Sequence, residues 1–187
     1  GRIQSGEAVP TALLHGLLVP LHKAGKPAYE EASHRPVMLL DISRRILSAV
    51  LNAGSKEAVR GFVRHTQAGF RPNHSTSEGV FVARSLAELA QHFKNFRYSI
   101  SLLDFSKAFD LLRRQQAIDT MAQAGIPTKT AARLMSRTTF SVRVADTVSC
   151  KRISNIGVVQ GDSASPTTFI VFAEGVFRQL DQHTQRL

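Results

Sequence analysis

Three observations predict an α+β fold. Short apolar runs of strand length, residues 13–21 and 37–40, flank a basic turn near the start of the chain. Stretches with apolar residues every three or four positions fill much of the middle and the end. A further alternating run, Phe140, Val142 and Val144, turns at Ala145-Asp146 and returns through residues 147–156, so strands and helices are interspersed. With 187 residues and 43% hydrophobic content, the chain can bury a real core.

Taken in order, residues 1–10 are polar and read as a frayed entry. Residues 13–21 are apolar on both faces, which predicts a strand. The basic turn His22-Lys23-Ala24-Gly25-Lys26-Pro27 and a polar loop through Ser33 follow it. His34-Arg35-Pro36 then leads into the second strand, so the pair predicts a hairpin with a cationic tip of Lys23, Lys26 and Arg35. That tip suits either a triphosphate, gripped by point charge and forked donors, or plain solvent. From Asp41 the spacing becomes helical, with Ile42, Ile46, Leu47, Val50 and Leu51 on the apolar face and Asn52-Ala53-Gly54 as the stop. A mixed basic segment, residues 56–65, precedes the loop Gln67-Ala68-Gly69-Phe70-Arg71-Pro72-Asn73-His74-Ser75-Thr76. Ser75 with Glu78 forms a capping-box pattern for a helix to about Phe93, buried on Val82, Leu86, Leu89, Ala90 and Phe93.

Tyr98, Ile100 and Leu102 alternate with serines, which predicts a buried strand through Leu103 that delivers Asp104 at its carboxyl end. An acid there either holds a metal or substrate on a rigid platform or caps the following turn. Asp110 follows six residues later. Residues 111–124 read as a helix stopped by Gly125 and Pro127, and residues 128–137 as another that buries Ala131, Leu134 and Met135. In Gly157-Val158-Val159-Gln160-Gly161-Asp162-Ser163-Ala164-Ser165-Pro166, the glycines permit close backbone approach. Ser165-Pro166 starts a last helix with Ile170, Ala173, Phe177 and Leu180 inward. This stretch is either a loop before a core helix or a pocket wall for a flat base and its sugar.

Charge narrows the partner. Lys and Arg number 24 against 14 Asp and Glu, a net charge of +10 that suggests a polyanion, most simply nucleic acid. A single cysteine, Cys150, excludes an internal disulfide, and no Cys/His cluster suits a structural zinc. No apolar run approaches the ~20 residues of a membrane span, so a reducing intracellular setting is the default and no membrane partner is expected. No internal repeat or low-complexity tract is present.

The order of these motifs resembles that of reverse transcriptases. The residues that carry the likeness are Pro20-Leu21-His22-Lys23-Ala24-Gly25-Lys26-Pro27, His34-Arg35-Pro36-Val37, Gln67-Ala68-Gly69-Phe70-Arg71-Pro72 with Ser75-Thr76, Leu103-Asp104-Phe105-Ser106-Lys107-Ala108-Phe109-Asp110, and Gln160-Gly161 through Ser165-Pro166. The form Asp-Phe-Ser-Lys-Ala-Phe-Asp is most similar to non-LTR, LINE-type retrotransposon enzymes. The likeness extends over about residues 17–180.

The resemblance implies a right-hand polymerase fold holding the fingers and part of the palm. About 1–95 would be fingers, 96–112 the palm strand and metal site, 113–156 a fingers/palm insert with a hairpin, and 157–187 the palm pocket loop and helix. It implies that Asp104 and the Phe105 backbone carbonyl are metal ligands for Mg2+ in a two-metal site. Lys23 and Arg35 would hold the incoming triphosphate, Phe109 would be the gate under its sugar, and Gln160 and Gly161 would line the nucleotide pocket. Arg71 and Lys26 would contact nucleic acid, and Asp110 would be scaffold. The implied reaction is RNA-directed DNA synthesis: a DNA primer 3′-hydroxyl attacks a dNTP on an RNA template, with hard oxygen ligands suiting magnesium. Its setting would be retrotransposition in the nucleus, beside the remaining palm, the thumb and, in some arrangements, an endonuclease.

Two departures qualify the likeness. The family's second metal carboxylates sit in an aromatic-x-Asp-Asp hairpin, and no Asp-Asp pair occurs in these 187 residues. The chain alone is therefore expected to be inactive, as part of a longer polymerase or as a degenerate or domesticated nucleic-acid-binding copy. Val159 and Ala164 stand where relatives often carry proline and a larger aliphatic residue.

Overall fold

A computed structural model describes residues 8–184. It forms a mixed sheet of β1 (His15–His22), β2 (His34–Leu40), β3 (Thr139–Val144), β4 (Thr147–Val148) and β5 (Arg152–Ile153). Around it lie α1 (Ile42–Phe62), α2 (Thr76–His92), α3 (Arg114–Gln123), α4 (Thr128–Ser136) and α5 (Ser165–Thr184). Of the frayed entry expected at 1–10, residues 1–7 lie outside the described range. Val9 is buried with Leu14 and Leu134, so the entry is anchored there rather than frayed.

The expected hairpin is present: β1 and β2 pair antiparallel from Gly16↔Leu40 to His22↔His34. A 3-10 turn, Thr11–Leu14, replaces the first residues of the predicted strand. On its other edge β1 runs parallel to β3, from His15↔Thr139 to Leu18↔Val142. That pairing was not legible in the pattern, because alternation within a strand says nothing about a neighbour 124 residues away. The second hairpin also forms, turning at Ala145 with φ 50. Its return strand is split into β4 and β5, because Ser149 takes over Val142: the Val142 N–H donates to Ser149 Oγ at 2.9 Å.

Helix α1 starts as read, with Asp41 Oδ1 accepting from the Ser43 N–H at 2.8 Å. It does not stop at Gly54. Glycine in an exposed helix costs about 1 kcal/mol relative to alanine, and burial of Val59 and Val63 beyond it more than offsets that. The predicted apolar face holds only in part: Leu47 and Leu51 pack against the Val9, Leu14 and Leu134 cluster. Arg44, Ser48, Ser55 and Val59 are buried, while Ile42, Ile46 and Val50 are 70%, 60% and 51% exposed.

Two further expectations of burial fail, one for a helix and one for a strand. Helix α2 forms its capping box, with Glu78 Oε1 accepting from the Ser75 N–H at 3.2 Å, yet none of its residues is buried. Residues 98–103 make no strand; Leu102 and Leu103 are 93% and 79% exposed. Alternation marks what a strand would bury, but a ladder needs a neighbouring strand, and none among the described residues lies beside this stretch.

The main core lies elsewhere. Helix α5 packs on α3 and α1 rather than under a sheet built on residues 98–103, with Val59, Val63, Met121, Ile126, Ile170 and Val171 between them. Ile170 and Ala173 are inward as expected, whereas Leu180 is 52% exposed. A smaller cluster of Leu112, Ala117 and Val158 supports Phe109, Phe169 and Phe172. This cluster joins the turn at Phe109 to the loop that starts at Val158.

Candidate nucleotide site

The Gln160-Gly161 loop is strung between the turn at 109–112 and the free edge of β2. The Gly157 N–H donates to the Leu112 carbonyl at 2.9 Å and the Val158 N–H to the Phe109 carbonyl at 2.8 Å. On the other side, the Met38 N–H of β2 donates to the Gln160 carbonyl at 2.8 Å. Gly161 has φ 113, and a Cβ there would stand 2.6 Å from the Met38 carbonyl oxygen. Only glycine fits that approach. Gly161→Ala is expected to cost about 1–3 kcal/mol, through strain and backbone displacement together. Thermal denaturation checks it, and an unchanged melting temperature would show that the loop leaves β2 freely.

Three of the residues singled out in the sequence meet at one place. Phe109, Gln160 and Gly161, with Asp162, Ser165 and Pro166, line a cavity of about 180 Å³. The Phe109 ring stacks on Phe169 at 5.2 Å and meets the edge of Phe70 at 6.1 Å. Phe105 meets Phe169 edge-on at 6.0 Å, which brings the Asp104-Phe105 segment within two ring contacts of the cavity wall. Asp104 itself is exposed on the stretch that forms no strand, and its carboxylate makes no hydrogen bond or ion pair with a described residue. Asp110 is occupied: its Oδ1 accepts from Gln160 Nε2 at 2.8 Å, which orients the amide.

The cations are at the hairpin tip. Lys23 Nζ donates to the Ala32 carbonyl at 2.7 Å, leaving two of its three donors. His22 Nε2 donates to the Lys26 carbonyl at 2.8 Å and closes the turn. Lys26 and Arg35 are exposed. The tip and the pocket loop share β2, through Met38. Arg71 is not part of this group. Its Nη1 donates to the carbonyls of Arg64 and Gln67 at 3.0 and 3.1 Å, so it braces its own loop.

Sequence reasoning missed the groups that hold the site together. Arg44 donates through Nε to Asp162 Oδ2 at 3.3 Å and through Nη1 to the Leu13 carbonyl at 3.1 Å. Both partners are buried, with side chains 2% and 7% exposed. Burial pushes the Arg44 pKa down, and the Asp162 charge partly restores it. Arg114 donates Nε–H to the Gly157 carbonyl at 2.7 Å, Nη1–H to Met135 and Ser154 carbonyls, and Nη2–H to Ser154 Oγ and the Ile156 carbonyl. All five N–H groups are thus engaged, tying the turn before the pocket loop to the end of α4 through the Met135 carbonyl. Its pKa is lowered by burial first and by the Arg44 charge second. A larger cavity of about 390 Å³, between α1, α4 and α5, has Arg44, Arg114 and Asp162 in its wall but none of Asp104, Phe109, Gln160 and Gly161.

The metal expectation meets an incomplete donor set. Among the described residues no group of three or more His, Cys, Asp or Glu side chains could hold a metal ion. Asp104 offers one free carboxylate, and Asp110 is held by Gln160. One carboxylate and a peptide carbonyl do not make a Mg2+ site. No described helix is long and apolar enough to cross a membrane.

Comparison with known proteins agrees with the motif order. The family profile described as reverse transcriptase (RNA-dependent DNA polymerase) matches residues 21–186. The chain is 30% identical over 163 residues to the probable RNA-directed DNA polymerase from transposon BS of Drosophila melanogaster, covering 83% of this chain and 17% of that protein. It is 28% identical over 165 residues to the probable RNA-directed DNA polymerase from transposon X-element of Drosophila melanogaster, covering 84% of this chain and 18% of that protein. The chain thus spans under a fifth of the length of these relatives. With its motifs and most of its length matched, the chain belongs to the reverse transcriptase family.

Proposed function

We propose that this chain is the fingers and part of the palm of a retrotransposon RNA-directed DNA polymerase. That polymerase would extend a DNA primer with dNTPs on an RNA template. The observation that carries the reading is the convergence of Phe109, Gln160 and Gly161 on one cavity, in a member of this family. Phe109 presents a flat apolar face at the height of a sugar, where a 2′-hydroxyl would lose its hydration. The Gln160 amide, fixed by Asp110, and the bare Gly161 backbone line the same cavity, where they would meet the base and its sugar. Lys23 and Arg35 neutralise triphosphate charge, Lys26 meets the nucleic-acid backbone, and Arg71 holds its loop against the same strand. Bound divalent ions supply charge stabilisation at the transferred phosphate. Asp104 and the Phe105 carbonyl are the ligands this chain offers them, the other carboxylates coming from the rest of the polymerase. The exposed edge at residues 98–103 is then the palm strand that those further residues pair with.

Two measurements test this. Primer extension with Mg2+ by the 187-residue chain alone is expected to yield no product, and robust synthesis would refute the partial-site reading. In the complete polymerase, Phe109→Val is expected to raise ribonucleotide incorporation about tenfold or more relative to deoxynucleotide, the effect of removing ~1.4 kcal/mol or more of discrimination. An unchanged sugar preference would remove Phe109 from the gate. Nucleic-acid binding with no synthesis by the complete polymerase would favour a non-catalytic binding domain.

A further inference from the structure

The loop before α2 contains a residue in an expensive conformation. Phe70 has φ 56, in the left-handed region, although it is neither glycine nor asparagine. For a bulky side chain that backbone is strained, and it persists only where the surroundings enforce it.

Here they do. The Gly69 N–H donates to Gln67 Oε1 at 3.0 Å, and Arg71 Nη1 ties the carbonyls of Arg64 and Gln67. Arg64 is in turn anchored to α5. Its Nε donates to Glu174 Oε2 at 3.0 Å and its Nη2 to Asp181 Oδ2 at 2.9 Å, with the Glu174 side chain 2% exposed. The hydrogen bond to Glu174 is the main reason the Arg64 pKa is raised.

The enforced geometry yields one product. The Phe70 ring, itself 61% exposed, stands at 82° to the Phe109 ring with centroids 6.1 Å apart. On its other side Phe109 stacks directly on Phe169, at 30° and 5.2 Å. Phe109 is therefore held between one stacked and one edge-on ring, a preferred aromatic arrangement. If only the loop's backbone mattered, glycine would serve at position 70 without strain.

We propose that Phe70 is a positioning residue for sugar discrimination: its strained loop holds the ring as a brace that keeps Phe109 under the incoming sugar. This rests on the gate reading of Phe109. With the brace gone, Phe109 turns about its χ angles and the cavity admits a 2′-hydroxyl. The substrate class affected is ribonucleoside triphosphate as against deoxyribonucleoside triphosphate.

The test uses the complete polymerase with Phe70→Gly, Phe70→Tyr and Phe109→Val, measured for the ratio of ribonucleotide to deoxynucleotide incorporation and for melting temperature. Phe70→Gly relieves the backbone strain, so the melting temperature is expected to hold or rise while the ribonucleotide ratio rises about three- to tenfold. Phe70→Tyr keeps the brace and the wild-type ratio. A wild-type ratio in Phe70→Gly, with a raised ratio in Phe109→Val, overturns the brace and leaves the gate standing. A wild-type ratio in Phe109→Val overturns the gate, and the brace with it.

Discussion

Asp104→Ala in the complete polymerase is expected to lower primer extension by about a thousandfold or more, with nucleic-acid affinity and melting temperature nearly unchanged. The magnitude follows from the metal-ligand role proposed for Asp104, worth several kcal/mol at the transferred phosphate, each 1.36 kcal/mol being about tenfold in rate. The selectivity of the effect follows from the structure. Asp104 is exposed and its carboxylate bonds to no described residue, so alanine leaves no cavity and no orphaned partner. Gel-shift and primer-extension measurements on one preparation separate the two. A loss of binding or of thermal stability in step with activity would make Asp104 scaffold. Asp110 should behave in the opposite way, because its carboxylate orients Gln160.

Arg44→Met is expected to destabilise the fold by about 3–5 kcal/mol, a large share of the 5–15 kcal/mol typical of a domain. The side chain is 2% exposed, and its loss strands Asp162 at 7% exposure with no cation. Asp162 also accepts at Oδ1 from the Ala164 N–H at 3.1 Å and at its carbonyl from the Ser165 N–H at 3.1 Å, so the start of α5 loosens with it. Adding Asp162→Leu to Arg44→Met should recover much of the loss, since apolar replacement of both members of a buried pair is often neutral. Urea denaturation of the single and double variants measures this. A double variant no better than Arg44→Met would mean that the pair is held for geometry that leucine cannot supply.

Local signals in the sequence were dependable where one segment supplies its own partners. The β1–β2 hairpin, the Ser75/Glu78 capping box, the stop at Gly125 and the turn at Ala145 all formed, because each is closed by residues a few positions apart. Phe109, Gln160 and Gly161, singled out in separate stretches of the sequence, line one cavity, a placement that rests on long-range packing. Burial was less legible. The stripe through Ile42, Ile46 and Val50 satisfies helical periodicity, yet α1 turns Arg44 and Ser48 inward toward Asp162 and α5. Hydrophobicity patterns assume that the apolar face is the inner face, and a buried arginine with an acid 118 residues away reverses that locally. The parallel β1–β3 pairing was invisible for a related reason, since register between distant strands is a tertiary choice.

The unpaired stretch at residues 98–105 has a consequence for how the molecule keeps company with its own copies. A run without ladder partners that exposes Ile100, Leu102, Leu103 and Phe105 is the kind of segment that can template strand addition between chains. Lys94 and Arg97 precede it and Lys107 follows it, in the positions where charge guards such a run. Together with the net charge of +10, they hold copies apart by repulsion whose reach is about 10 Å at 0.1 M salt and about 3 Å at 1 M. The positive charge proposed to draw nucleic acid to the hairpin tip would thus also act as a colloidal safeguard, and salt that screens the one role screens the other.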